Sequence, residues 1–254
     1  MSIHSSWTQA DADFAAEIAA AAGKLLQEVR ASRDWDPKEL GKAGDAASNE
    51  LLCHAISTER PDDGLLSEER KCDGTRLSKS RTWIIDPVDG TREYGEARDD
   101  WAVHVALCID GRPELGVVAL PDAGLVLRSD APPALQPLNH PPRMVVSRTR
   151  PAAEAIAVAE AIGAELVPMG SAGAKAMAVV RGLADVYLHS GGQHEWDNAA
   201  PVAVALAAGL HATRLDGTPF VYNCAETWVP DLLICRHELI GRVTEALRAA
   251  IVNG

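Results

Sequence analysis

Aromatic residues are scarce, at 4% of 254, so the core has to be built from Ala, Val, Leu and Ile. Basic residues are also few: 24 Lys and Arg stand against 36 Asp and Glu, a formal charge of −12. That balance excludes a general nucleic-acid binder, because neutralising phosphates takes Lys and Arg. It also sets the chain against anionic membrane surfaces. The five cysteines (Cys53, Cys72, Cys108, Cys224 and Cys235) are odd in number and form no CxxC. They fit neither a disulfide framework nor a zinc site and read as reduced thiols of a cytoplasmic protein. No basic stretch followed by an apolar one opens the sequence, as a signal peptide would require. The longest apolar run, Ala199 to Leu210, has 12 residues, includes Pro201 and Gly209, and is too short to span a bilayer. What remains is 47% apolar and 24% charged, the composition of one large or two small globular domains. A chain of this size buries roughly 70–75% of its extended surface and needs no disulfides to do so.

Apolar periodicity predicts a helix over 8–33, through Phe14, Ile18, Ala21, Leu25 and Val29, and a second over 46–59. Residues 33–44 between them read as a mobile segment. A short strand Trp83-Ile84-Ile85 runs into Asp86-Pro87. An antiparallel meander over 101–109, 115–120 and 125–129 follows, turning at Asp110-Gly111 and Pro121-Asp122-Ala123-Gly124. Residues 131–142 hold five prolines and no apolar periodicity, the pattern of a linker. Beyond it, strands (143–147, 165–168, 184–188, 230–235) alternate with helices (151–162, 171–182, 197–209, 237–251), the signature of an α/β layer. The expected organisation is an N-terminal α+β half over 1–130, a linker over 131–142 and a C-terminal α/β half over 143–254.

The chemistry concentrates in Trp83-Ile84-Ile85-Asp86-Pro87-Val88-Asp89-Gly90-Thr91. A strand delivers two carboxylates at its exit, and Pro87 fixes the path of the chain there. Gly90 allows close approach of a ligand, and the Gly90 and Thr91 N–H groups can face an anion. Two carboxylates, the Val88 carbonyl and amide donors suit a hard divalent cation shared with a phosphate. Upstream stand Asp45 and the pair Glu68-Glu69; downstream, Glu195-Trp196-Asp197 opens a helix, where Asp197 reads as an N-cap. If Asp45, Glu68, Asp86, Asp89 and Asp197 converge, each like-charge pair at 4 Å costs about 4 kcal/mol at an effective dielectric of 20. Either several pKa values rise or cations lie between them. Oxygen donors without a His/Cys set indicate Mg²⁺ rather than zinc. His104, His189 and His194 form no paired ligand motif and read as packed or exposed residues. Trp196 reads as packing beneath the site.

Ser67-Glu68-Glu69, the W-I-I-D-P-V-D-G-T run and Trp196-Asp197-Asn198-Ala199-Ala200-Pro201, in this order and spacing, resemble the Mg²⁺-dependent, lithium-sensitive phosphatases of the inositol monophosphatase/fructose-1,6-bisphosphatase superfamily. The resemblance covers nearly the whole chain and implies a layered α+β or α/β fold, an alternating α-β-α-β-α sandwich. It implies that Glu68, Asp86 and the Val88 carbonyl bind one Mg²⁺, that Asp86, Asp89 and Asp197 bind a second, and that Glu68 touches a third, weaker ion. Asp45 and Thr91 match the pair that positions and deprotonates the attacking water, with Glu68 beside them. Glu69 matches a position behind the ligands. Asp89, Gly90, Thr91 and Asp197 match positions that hold the substrate. Relatives commonly form homodimers.

Arg92-Glu93-Tyr94 is similar to the CysQ-type branch, whose substrate is 3′-phosphoadenosine 5′-phosphate (PAP), and the full run resembles its actinobacterial members most closely. Residues 188–194 carry no acid where inositol phosphatases place a sugar-contacting carboxylate. Gly170-Ser171 and Lys175 resemble a segment of the nucleotide-specific branch, where both would meet a second phosphate. The alternative is a Ser171 that only caps a helix and a solvated Lys175. The function implied is release of the 3′-phosphate of PAP, and of PAPS, in sulfur assimilation, with a small phosphorylated nucleotide as partner and no polymer or membrane. Two alternatives stand beside it. One is a broad phosphatase for inositol 1-phosphate or fructose 1,6-bisphosphate. The other is a silent nucleotide- or metal-binding protein, against which the Asp45/Thr91 pair argues.

Overall fold

A computed structural model describes residues 6–70 and 74–253, so Cys72 lies outside the described residues. Two long helices open the chain, α1 (Gln9–Ala31) and α2 (Pro37–Glu59). A five-stranded sheet follows, formed by β1 (Gly64–Ser67), β2 (Arg81–Asp89), β3 (Ala102–Ile109), β4 (Arg112–Leu120) and β5 (Leu125–Arg128), in that order. β1 is parallel to β2, and the rest form the expected antiparallel meander. A short helix, α3 (Thr91–Gly95), follows β2. The second half contains β6 (Arg143–Ser147), α4 (Ala153–Ile162), β7 (Glu165–Met169), α5 (Ala172–Val180), β8 (Val186–His194), α6 (Glu195–Ala207), β9 (His211–Thr213), β10 (Trp228–Cys235) and α7 (Ile240–Asn253). Its sheet, ordered β7-β6-β8-β10-β9, is mixed: β6, β7 and β8 run parallel, and β10 is antiparallel to β8 and β9.

Three apolar clusters join these elements into the expected five layers. α1 and α2 cover one face of the first sheet, through Leu26, Leu52, Trp83 and Val105. α5 and α6 fill the space between the two sheets, through Ile84, Val118, Val179, Val204 and Ile234. α4 and α7 close the outer face of the second sheet, through Met144, Val158, Val186 and Val243. The central cluster draws on both halves of the chain. Among the described residues, no helix is long and apolar enough to cross a membrane.

Residues 33–44 are a correction. Most of them are the first two turns of α2, not a mobile stretch: the Asp36 side chain caps Lys38 and Glu39, and Pro37 occupies the first turn. Gly41 and Gly44 interrupt the apolar pattern there because other side chains fill their places. A Cβ on Gly41 would lie 2.8 Å from Thr91 Cγ2, and one on Gly44 2.5 Å from Tyr94 Cε1.

Residues 131–142 form neither helix nor strand, yet they are anchored. The fully buried Asp185 accepts from Asn139 N and Nδ2, both at 3.1 Å, and from Arg143 N at 2.8 Å. Asp185→Ala would leave those donors without their acceptor. Urea denaturation is expected to show a loss of about 3 kcal/mol; a loss within the error of the measurement would mean that other contacts hold the segment.

Candidate active site

The geometry starts from two parallel strands ending side by side. Ser67 pairs with Ile85, so the ends of β1 and β2 bring Glu68 next to Asp86. On β2, Trp83 and Ile85 face the α1/α2 layer and Ile84 faces α5/α6, so alternation turns Asp86 toward α6. The ladder with β3 shifts register between Asp86 and Asp89, where Pro87 sits. Ser48 of α2 donates to the Pro87 carbonyl at 2.8 Å and fixes that kink. Gly90, at φ 86°, then turns the chain into α3. A side chain at Gly90 would press against Ser171 Cβ, at 3.1 Å.

Asp197 arrives from α6. His194, not Asp197, is the N-cap: Asp197 is the third helical residue, and its carboxylate accepts from the His194 N–H at 2.5 Å. One carboxylate oxygen from each of Asp86, Asp89 and Asp197 lies within 4.8 Å of the others. These three can hold a metal ion. Their donor set, hard oxygens with no Cys or His, fits a hard divalent cation.

The electrostatics have the character of a site that needs positive charge. Burial, then the charges of Asp89, Glu68 and Asp197, push Asp86 well above the usual carboxylate range. Burial and Asp89 raise Asp197 to about 6 against the opposing His194 N–H. Glu68 reaches the surface, but the protein around its carboxyl, and then Asp197 and Glu69, raise it to about 7. Asp45 also rises to about 7, through burial and Glu69, partly offset by Thr91. Asp89 goes the other way. Burial alone would raise it, but His104, the Ser171 hydroxyl and the Gly173 N–H hold it at about 2.

Asp89 is gripped by the start of α5. The Ser171 hydroxyl donates to its Oδ2, as does Gly173 N at 2.6 Å, and Ala172 N donates to Oδ1 at 3.0 Å. Ser171 Oγ also accepts from Ala174 N, so it caps the helix while bonding a site carboxylate. Lys175 is buried rather than solvated. Its Nζ donates to Gly170 O at 3.2 Å and Ser171 O at 2.5 Å and lies over the Tyr187 ring.

His104 is packed, one of the two readings the sequence offered, but its place beside Asp89 was not foreseen. It pairs with Asp86 across the β2–β3 ladder, is fully buried, and places Nε2 3.2 Å from Asp89 Oδ2 without the alignment of a full hydrogen bond. Its Nδ1 lies 3.0 Å from the Trp196 carbonyl, an acceptor only, so Nδ1 carries a proton. The usable signal was its place in a strand that pairs with the Asp86 strand. Trp196 packs against the central core and stacks on His194, with centroids 4.5 Å apart.

Thr91 Oγ1 lies 3.2 Å from Asp45 Oδ1 and 3.1 Å from the Val88 carbonyl. One hydroxyl proton can go to either acceptor. The Val88 N–H donates to Asp86 Oδ1 at 3.1 Å, which fixes that carboxylate.

The sequence pattern of the inositol monophosphatase family matches residues 7–131 and 138–250. The chain belongs to that family. It is 50% identical over 244 residues to the 3′-phosphoadenosine 5′-phosphate phosphatase of Mycobacterium tuberculosis (strain CDC 1551 / Oshkosh), covering 89% of this chain and 91% of that protein. It is 30% identical over 199 residues to the 3′(2′),5′-bisphosphate nucleotidase CysQ of Escherichia coli (strain K12), covering 74% of this chain and 81% of that one. The crystal structure of CysQ from Bacteroides thetaiotaomicron superposes with a TM-score of 0.77 at 24% identity, covering 91% of this chain and 98% of that one, a likeness of fold.

Proposed function

We propose that this family member is a Mg²⁺-dependent phosphomonoesterase that hydrolyses the 3′-phosphate of PAP, and of PAPS, to AMP (APS) and phosphate, within sulfur assimilation. The observation that carries the chemistry is the meeting of Asp86, Asp89 and Asp197 within 4.8 Å, beside the Asp45–Thr91 pair. Half-identity to the mycobacterial phosphatase over nearly the full length supports the substrate. So does the absence of any acid from 188 to 194.

In this reading Glu68, Asp86 and the Val88 carbonyl hold one Mg²⁺, and Asp86, Asp89 and Asp197 a second, with Glu68 also facing a third, weaker ion. Bound there, the ions neutralise the acidic centre and lend Lewis acidity to the phosphate ester. The Gly90 and Thr91 N–H groups receive phosphoryl oxygens. Asp45 takes the proton of the attacking water. Burial and the Glu69 charge raise its pKa above the ordinary carboxylate value, which makes it a stronger base. The Thr91 hydroxyl, swinging between Asp45 and Val88 O, orients that water. Ser171 keeps Asp89 ionised and aimed, and it and the buried Lys175, whose pKa burial lowers, stand where the resemblance places the second phosphate of the nucleotide. In this view 1–130 supplies the catalytic machinery, 143–254 the substrate specificity and 131–142 the connection. The family resemblance adds a cytoplasmic homodimer.

Steady-state rates on PAP, PAPS, inositol 1-phosphate and fructose 1,6-bisphosphate in one Mg²⁺ buffer test the reading. PAP is expected to have the highest kcat/KM. A clear preference for inositol 1-phosphate would replace the nucleotide reading with the sugar-phosphate one.

A further inference from the structure

Asp86 and Asp89 come to the acidic centre on β2, while Asp197 comes on α6. Each side is tied to its own surroundings. Asp89 is gripped by Ser171, Ala172 and Gly173 at the start of α5, and the Asp197 carboxylate accepts from the His194 N–H of its own turn. The gap between the two sides decides whether the carboxylates can share one ion, and none of these bonds sets it.

The turn that carries Asp197 is also short of a helical bond. Pro201 lies inside α6 and has no N–H, so the Asp197 carbonyl four residues earlier cannot receive its usual donor. A turn loosened in this way needs an anchor from outside the helix.

His104 stands in that gap. It lies on β3 opposite Asp86, is fully buried, and faces both sides at once. Nδ1 donates to the carbonyl of Trp196, the neighbour of Asp197, at 3.0 Å, and Nε2 stands 3.2 Å from Asp89 Oδ2. A Cβ on Gly173 would lie 2.0 Å from Nε2 and 3.1 Å from Asp89 Oδ2, so the first turn of α5 closes over this edge of the ring. Among the described residues Nε2 has no well-aligned hydrogen-bond partner. A buried polar atom is thus aimed at a carboxylate of the acidic centre. A flat ring with polar atoms at both ends is a spacer of fixed width.

We propose that His104 is a positioning residue for the metal centre: its ring fixes the distance between the Asp89 and Asp197 carboxylates, and thereby how tightly the centre takes a divalent cation. This rests on the reading of the three carboxylates as a metal site. His104 acts through Asp89 and the Trp196 peptide. Groups that orient metal ligands from behind are worth about 10- to 100-fold in metal affinity.

Mn²⁺ alone, titrated into the full chain without substrate and followed by the electron paramagnetic resonance of the free ion, reads that affinity directly. His104→Leu removes both polar ends and is expected to raise the Mn²⁺ Kd about 10- to 100-fold. His104→Asn keeps a donor for the Trp196 carbonyl, and His104→Gln reaches toward Asp89. Each restores one end and is expected to fall between the Leu variant and the wild type. Circular dichroism melts in EDTA report stability separately. A lower Tm in EDTA with a wild-type Kd in the folded Leu variant would make His104 a packing residue and overturn the proposal. If the Leu variant does not fold, wild-type Kd values in both amide variants overturn it in the same way. A wild-type chain that takes up no Mn²⁺ would overturn the metal-site reading, and this proposal with it.

Discussion

Asp86→Asn is expected to lower kcat/KM for PAP by about 10³-fold or more while leaving the fold intact. The substitution keeps the shape of the side chain and removes the one carboxylate assigned to both ions. Asp86 is 1% exposed, and burial and four neighbouring acids push its carboxyl well above the usual range. Replacing it removes that repulsion, so in EDTA the variant should melt no lower than the wild type at neutral and alkaline pH. Loss of activity with retained or raised Tm is the combination to look for, by steady-state kinetics and circular dichroism melts. Activity within about tenfold of wild type would remove Asp86 from the reaction.

The second large effect concerns metal removal and pH. Glu68 and Asp45 rise to about 7 and Asp197 to about 6 in the folded chain, above their ordinary values of 4.5, 3.8 and 3.8. Acids with raised folded pKa values bind more protons folded than unfolded. Their contribution to stability is therefore fully present below the ordinary carboxylate range and is lost as pH rises through about 6 to 7. Metal-free protein should lose Tm between about pH 5 and about pH 8. Asp89, held at about 2, opposes this only in more acid solution. On the proposed reading Mg²⁺ takes the ionised cluster of the folded state, and it is then expected to raise Tm far more at about pH 8 than at about pH 5.5. Thermal melts in EDTA and in Mg²⁺ at the two pH values check this. A Tm in EDTA that rises with pH over that range would contradict the electrostatics described here.

The parts of the site that were legible from sequence are those written locally. Ile84-Ile85 followed by Asp86-Pro87 and Gly90 spells a buried strand, a kink and a close-approach turn within a few residues, and that is how β2 and α3 run. β1 escaped notice because four residues, GLLS, are too few to display a period. Yet β1 is what sets Glu68 beside Asp86. The first turns of α2 were hidden because Gly41 and Gly44 were chosen for the neighbours they accommodate, Thr91 and Tyr94, rather than for helix propensity. β9 is shorter still, and β8 runs on to His194 through Gly191 and Gly192, residues that weaken a strand pattern.

Long-range partnerships were beyond reach for the same reason. Ser171 and Lys175 could be read as a helix start and a basic residue, but not as the grip on Asp89, 82 residues away from Ser171. His104 in isolation is a polar residue in an apolar strand; only pairing with β2 turns it into the neighbour of Asp86 and Asp89. The Glu93–Arg148 pair joins residues 55 apart and exists only once α3 and the end of β6 have met.

The most direct measurement is diffraction from crystals grown with Mn²⁺ in place of Mg²⁺ and soaked in orthophosphate, with data collected at the manganese edge. The account predicts an anomalous peak among the Asp86, Asp89 and Asp197 carboxylates, with a phosphate lying between that ion and the Gly90 and Thr91 amides. Crystals with those three carboxylates turned apart and no anomalous scatterer between them, at manganese concentrations that support turnover, would contradict it.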